Sequence, residues 1–413
     1  MSRTLRWGQA MTRKLLEGIK VIDWTVYQFG PVGGALLADL GADVIKIESP
    51  VGDPGRTLGV GRGRNTLPMG HTAYFENGNR NKRGIVLDLN KPDARDVVYK
   101  LVQRSDVFMQ NFRKGVAERL GMGYDDLKKH NPMLIYASGS AFGPDGPMAD
   151  MPGYDTVGQA YSGLMFQTVT EGNAPRQVGG GIADQMGGTQ LMMGVLGALV
   201  ARSIHGIGQK VDVSHLGGMV WLQGTILNSG LLGKTWSSPG ERTAPQSPMS
   251  NSYLCKDGRW LQFVFTQPDR YWPGFCRALN MERLIEDPRF ATNAARAENS
   301  RELVLIFDKV FATRTAEEWA PILRKEDLIY SPVMKINELE TDEQILSNQY
   351  IVEFEHPTLG RVKETGHPIR YSETPAEIGV RPAPHLGEHT REVLSELGYS
   401  SDQVEALHKK GVF

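Results

Sequence analysis

The chain has 413 residues, 40% hydrophobic and 23% charged, with a formal net charge of −1. That length and balance suit a globular protein of two or three domains, and near-neutral charge argues against general nucleic-acid or membrane-surface binding. Two cysteines, Cys255 and Cys276, are too few for a disulfide framework or a Cys-rich metal site, so a reducing compartment, the cytoplasm, is expected. No apolar run approaches the ~20 residues of a membrane span.

In chain order, residues 1–15 carry Arg3, Arg6, Arg13 and Lys14 without an acid and lack an apolar signal core, so they read as an N-terminal extension. KVID (Lys20 to Asp23) predicts a buried strand, Pro31 a helix opening with Val32, Leu36 and Leu40 on one face, and DVIKIE (Asp43 to Glu48) a second strand. Strand, glycine-bearing loop, helix and strand make a βαβ unit and imply a parallel sheet. The loop reads G-P-V-G-G, so the dinucleotide fingerprint is absent, and Glu48 matches a ribose-binding acid in position only.

Ser49 to Tyr74, rich in Gly, Pro and Arg, predicts a long mobile loop over a site. Lys82 and Arg83 could face phosphates, although isolated Lys-Arg pairs are usually solvated. Strands are predicted at Gly84 to Asp88, Asp106 to Gln110 and from Met133 toward Gly143, with a helix from Pro92. Asn111, Phe112 and Arg113 leave a strand where open α/β sheets bind ligands, and Tyr154 and Asp155 stand at a helix start.

Gly179, Gly180 and Gly181 then deliver Asp184 to the mouth of a long apolar helix with Leu191, Val195 and Leu199 inward. Two readings stand side by side: Asp184 caps a buried helix, or it is a carboxylate nucleophile whose glycine surroundings, Gly187 and Gly188 included, offer backbone amides to a ligand. Beyond it, Leu216 to Leu232 predicts one apolar helix and Thr235 to Asn251 a linker. SYLCKDGRWLQFVF predicts a hairpin turning at Asp257-Gly258, and Trp272 to Phe311 is mostly helical. His385 and His389 near the C-terminus suit surface or cap positions better than metal ligation, and no metal site is expected.

The stretches GPVGGALLADLGADVIKIE, NKRGIVLDL, DVFMQNFRKGVAERLGMGY, PGYDTVGQAYSGLM, GGGIADQMGG, GIGQKVDVS and PHLGEHTREVLSELGY resemble, in order, the class III CoA-transferases, a group that includes the α-methylacyl-CoA racemases. The resemblance implies an α/β fold: a Rossmann-like parallel-sheet large domain (16–229 with 336–413), a small α+β domain (230–335), and an interlocked, ring-like homodimer. It implies that Asp184 takes the acyl group from CoA as a mixed anhydride, with Gln28 at the active site. It also implies that Leu87, Asn111, Phe112 and Arg119 contact CoA, which is a substrate rather than a resident cofactor. Tyr154 stands where the racemases carry a catalytic histidine; a phenol with a pKa near ~10 shuttles protons poorly at neutral pH, which favours transfer over racemisation. Where the oxalate enzyme has a tetraglycine loop this chain reads APQSPMS, a departure at residues tied to formyl/oxalate specificity. Met165, Phe166 and Trp221 suggest an apolar acyl group. The alternatives are an acyl-CoA isomerase with Asp184 as base, or a CoA-binding subunit of a heteromeric transferase.

Overall fold

The computed structural model describes residues 13–58, 67, 72–236 and 238–413. Most of the N-terminal extension and the centre of the Gly/Arg loop (59–66 and 68–71) lie outside the described residues. The chain divides into two compact units. One holds the residues up to Met165, Gln177–Trp236 and Glu343–Phe413; the other holds Phe166–Arg176 and Ser237–Asp342.

The first unit is built on six parallel strands: β1 (Lys20–Trp24), β2 (Asp43–Glu48), β3 (Arg83–Val86), β4 (Val107–Gln110), β5 (Ile135–Ser140) and β6 (Lys210–Ser214). Their order is β3-β2-β1-β4-β5-β6, with every pairing parallel. The order reverses between β1 and β4, and the crevice outside the carboxyl ends of strands at such a reversal is where open α/β sheets bind ligands.

Among the described residues seven helices intervene, α1 (Phe29–Asp39), α2 (Ala73–Asn79), α3 (Pro92–Val102), α4 (Val116–Arg119), α5 (Tyr124–Leu127), α6 (Asp155–Tyr161) and α7 (Ile182–His205), and α8 (His215–Leu222) and α9 (Gly224–Gly233) follow β6. The helix predicted as one from Leu216 is thus two. They part at Gln223, whose amide donates to the carbonyls of Met219 and Ser162.

α1 has no polar face and is buried along its whole length, which follows from its sequence FGPVGGALLAD. It lies against α7 at a distance only glycine permits. A Cβ at Gly188 would come within 2.8 Å of Val32, and one at Gly187 within 2.5 Å of the Phe29 ring. These two glycines therefore serve helix packing, not the approach of a ligand expected from the sequence.

Lys82 and Arg83 are also not solvated. Lys82 is fully buried, and its ammonium donates to Asp23 Oδ2 (2.5 Å), the carbonyls of Pro31 and Gly78, and Asn79 Oδ1. Burial pushes the Lys82 ammonium down to about 8 against the pull of Asp23. Burial alone would raise Asp23, but the charges of Lys82 and Lys46 hold its carboxyl below the usual range. Lys46 in turn donates to Asp53 Oδ2 at 2.9 Å. Arg83 forks onto Asp43, Glu392 and Glu396. Glu48 accepts from Arg56 and from the Asp53 amide, so it is spent inside the protein rather than offered to a ribose.

The second unit pairs β7 (Ser252–Leu254), β8 (Trp260–Phe263) and β9 (Tyr330–Pro332) antiparallel, with α10 (Pro268–Ala278), α11 (Asn293–Glu298), α12 (Ser300–Phe311) and α13 (Ala316–Lys325) beside them. The predicted hairpin forms, turning at Gly258 with φ +78°. Tyr253, Phe263, Phe275, Phe307 and Phe311 interlock in its core.

The chain then returns to the first unit through α14 (Glu343–Ser347), the hairpin β10 (Ile351–His356) and β11 (Gly360–Thr365), α15 (Thr390–Glu396) and α16 (Ser401–Lys409). His389 Nδ1 and Thr390 Oγ1 accept from the Gly84 and Val86 amides, tying this return to β3. No described helix is long and apolar enough to cross a membrane.

Removing one member of a buried ion pair strands the other, at a cost of ~3–5 kcal/mol. Lys82→Met should therefore lower the urea unfolding free energy by about 3 kcal/mol, whereas Lys129→Met, at an exposed ion pair, should change it by less than about 1 kcal/mol.

Candidate active site

The loop after β1 turns sharply, with Tyr27 in the left-handed region at φ 64°. Two groups hold it there. Asn111, just past β4, accepts from the Val26 amide and donates to the Val26 carbonyl, both at 2.8 Å; Asp53 Oδ1 accepts from the Tyr27 amide at 3.1 Å. Asn111 is thus a clasp between the two loops that flank the reversal of strand order. Next to it Phe112 packs against Trp24, the rings tilted by 40° with centroids 4.3 Å apart. Gly139 leaves room for both Phe29 and Asn111, since a Cβ there would lie 3.0 Å from the Phe29 ring.

Within the first unit these loops line a cleft of about 180 Å³, together with Arg113, Lys114, Gly153, Tyr154, Asp184 and His215. A larger polar cleft of about 540 Å³ opens beside Lys20 and Asp43, at the amino ends of β1 and β2. Its charges are largely consumed in ion pairs of Lys14 with Glu377 and of Arg83 with three acids. The smaller cleft sits at the carboxyl ends of the strands, and it is the candidate site.

Asp184 is the third residue of α7, and the helix is capped by neither it nor any other side chain of its own. Gly181 precedes the helix at φ 67°, and Asp155, the first residue of α6, reaches across to accept from the Ala183 amide (2.6 Å) and the Asp184 amide (3.2 Å). The cap expected of Asp184 is thus supplied by Asp155. Asp155 is itself steadied by Gln159, which donates to its Oδ1 at 2.6 Å. The Asp184 side chain, 15% exposed, bonds through Oδ1 to His215 Nε2 at 2.8 Å. His215 is buried at the end of β6, with its ring 4.6 Å from that of Phe29.

The other predicted residues fall into two groups. Gln28 is buried beside the mouth of α7, where a Cβ on Gly181 would come within 3.1 Å of its Oε1. Tyr154, 56% exposed, edges onto Tyr27 at 5.3 Å, with the two hydroxyls 3.5 Å apart. That contact, with burial, raises the Tyr27 phenol above its ordinary value. Asn111, Phe112, Tyr154 and Asp184 line the cleft together. Leu87 does not: it is 1% exposed in the core beside β3 and α3. Arg119 is exposed on the short α4 and is absent from the cleft lining. Trp221 is exposed on α8, and Phe166 belongs to the second unit.

Three groups escaped the sequence reading. His215 gave no signal because a histidine after an apolar strand is unremarkable. Asp155 reads in the sequence only as a helix start. Tyr74 carries a phenol raised by burial and by the nearby charges of Asp184 and Asp53, which brings the start of α2 into electrostatic reach of the site.

Residues 16–390 match the profile of CoA-transferase family III. Among curated proteins, the chain is 30% identical to an (R)-2-hydroxy-4-methylpentanoate CoA-transferase of Clostridioides difficile, covering 94% of this chain and 97% of that one. It is 33% identical to a formyl-CoA:oxalate CoA-transferase of Bradyrhizobium diazoefficiens, covering 96% and 97%. Among solved structures, a CAIB/BAIF family protein from Brucella suis superposes with a TM-score of 0.82 at 28% identity, covering 93% of this chain and 99% of that one. The chain belongs to CoA-transferase family III.

Proposed function

We propose that the protein transfers coenzyme A between an acyl-CoA thioester and a carboxylic acid through covalent intermediates on Asp184. The observation that carries this reading is that Asp155 takes the two amides at the mouth of α7, which leaves the Asp184 carboxylate facing the cleft. A carboxylate attacks poorly in bulk water, so its reactivity depends on shielding from solvent and on amide donors for the developing oxyanion. Gly179 and Gly180, with open space around them, are suited to approach such an oxyanion.

The cleft is smaller than the ~300–1,000 Å³ of sites for drug-sized ligands, so it takes the acyl group and thioester while the rest of the coenzyme lies outside. Arg113 and Lys114 give its lining the positive charge that polyanionic CoA requires. Phe112 offers an apolar wall. Gln28 and Tyr154 orient the acyl group and the acceptor acid. Leu87 and Arg119 enter no step.

Two such chains form a homodimer, a reading supported by the exposed Val200, Ile204, Trp221, Leu232 and Trp236 on and after α7, α8 and α9. Both cysteines are buried and unpaired, consistent with the cytoplasm.

The test is a matrix of formyl-CoA, succinyl-CoA and 2-hydroxy-4-methylpentanoyl-CoA against oxalate, dicarboxylic, 2-hydroxy and betaine acids, read by mass spectrometry. At least one pair should exchange CoA, and Asp184→Asn should lower its kcat by about a thousandfold or more. Retained turnover in that variant contradicts the nucleophile role. Deuterium entering the acyl α-carbon without an acceptor acid would instead mark an isomerase.

Without the Asp155 cap the α7 amides would compete for Asp184. Asp155→Ala should therefore cost about 1–2 kcal/mol of stability, measured by urea unfolding, and lower kcat more than it raises KM.

A further inference from the structure

Resting on that reading, we infer that His215 is the oxyanion donor for the two steps that take place at the Asp184 carbonyl carbon. His215 Nε2 lies 2.8 Å from Asp184 Oδ1, with both side chains largely buried. The ring is fixed from several sides. Its backbone begins α8, where Ser214 Oγ accepts from the Gly217 amide. Gly158 of α6 admits its Cβ so closely that a Cβ there would come within 2.6 Å. Phe29 of α1 covers the ring at 4.6 Å.

The other ring nitrogen, Nδ1, is buried and has no hydrogen-bond partner among the described residues. An N–H at Nδ1 would be buried without an acceptor, so the tautomer that fits these surroundings carries its hydrogen on Nε2 and donates it to Asp184. A donor so held, in a water-poor site, costs no reorganisation when charge develops on the oxygen it faces.

The chemistry of exchange assigns the steps that use it. First, Asp184 Oδ2 bonds to the acyl carbon of the thioester, the C–S bond breaks, and CoA thiolate leaves; the developing charge sits on the substrate oxygen. Next, the thiolate attacks Asp184 Cγ, the Cγ–Oδ2 bond breaks, and the donor acid departs with Oδ2, leaving an aspartyl-CoA thioester. The acceptor carboxylate then attacks Cγ and expels CoA thiolate. Finally, the thiolate attacks the acceptor's carbonyl carbon, releasing the new acyl-CoA and an Asp184 carboxylate that keeps one acceptor oxygen. In the two middle steps negative charge gathers on Oδ1, the atom His215 faces. In the first and last the tetrahedral oxyanion lies on the substrate oxygen instead, and Asp184 only gives up or regains the charge that its carboxylate spreads over both oxygens.

His215 is therefore a catalytic residue, in contact with the reacting carboxyl group, and its loss should halt the cycle at one defined point. The experiment gives the full-length enzyme the acyl-CoA turned over fastest in the matrix above, without acceptor acid, and weighs the rapidly quenched protein. The wild type should carry CoA. His215→Phe, which keeps a ring against Phe29 but has no donor, should carry the acyl group instead, with kcat lower by about 10²–10³-fold. His215→Gln, which restores an N–H, should return toward the CoA adduct. His215→Leu repeats the measurement if the larger ring impairs folding, checked by its melting curve. A CoA adduct at the wild-type level and rate in both donor-free variants overturns the inference. Turnover by the wild type with neither adduct overturns the covalent reading on which it rests, a separate and distinguishable result.

Discussion

Two carboxylates meet at the mouth of α7, and the helix consumes only one of them. Asp155 accepts from the Ala183 and Asp184 amides, and Gln159 steadies it from the same helix. A helix amino end attracts negative charge and has unsatisfied amides to pair. Had Asp184 met that demand itself, it would be a structural cap. Because a neighbouring helix supplies the cap, Asp184 keeps the favourable dipole while one of its oxygens bonds to His215 and the carboxylate faces the cleft.

That division of labour needs α6, α7 and α8 at fixed distances, and the packing beneath them provides it. Glycines let α1 and α7 close on each other until Phe29 and Val32 fill the spaces that side chains at Gly187 and Gly188 would occupy. Under α1, Asp23, Lys82, Lys46 and Asp53 form a chain of buried charges whose members are each paired. Its last acid, Asp53, also accepts from the Tyr27 amide. Each ion in such a chain pays several kcal/mol in lost hydration, so its arrangement is tightly constrained. The loop that carries Tyr27 and Gln28 inherits that rigidity.

Much of this was legible in the sequence. β2 has the bounds that the hydrophobic pattern predicts, α3 starts at the predicted proline, α7 starts within a few residues of the predicted helix mouth, and β1, β4 and β5 lie within a few residues of their predicted bounds. Asp184 was singled out by the glycines before it. What pattern could not convey is which partner a polar group finds across the fold. Lys82 and Arg83 look like a solvated pair because nothing local shows that Asp23 and Asp43 wait on neighbouring strands. Gly187 and Gly188 look alike as ligand contacts or as helix-packing residues until α1 is seen against them. His215 lies 31 residues from Asp184, and only the crossover from α7 into β6 brings the two together. Leu87 and Arg119 came from family resemblance alone, which carries no information on burial in this chain.

The most direct measurement of the central claim is borohydride reduction of the enzyme mixed with an acyl-CoA and no acceptor, followed by peptide mass spectrometry. Borohydride reduces an aspartyl thioester to an alcohol. A covalent intermediate on Asp184 should convert residue 184 to homoserine, and only when acyl-CoA is present. An unmodified Asp184 in a preparation that exchanges CoA, or reduction at a different residue, would contradict it.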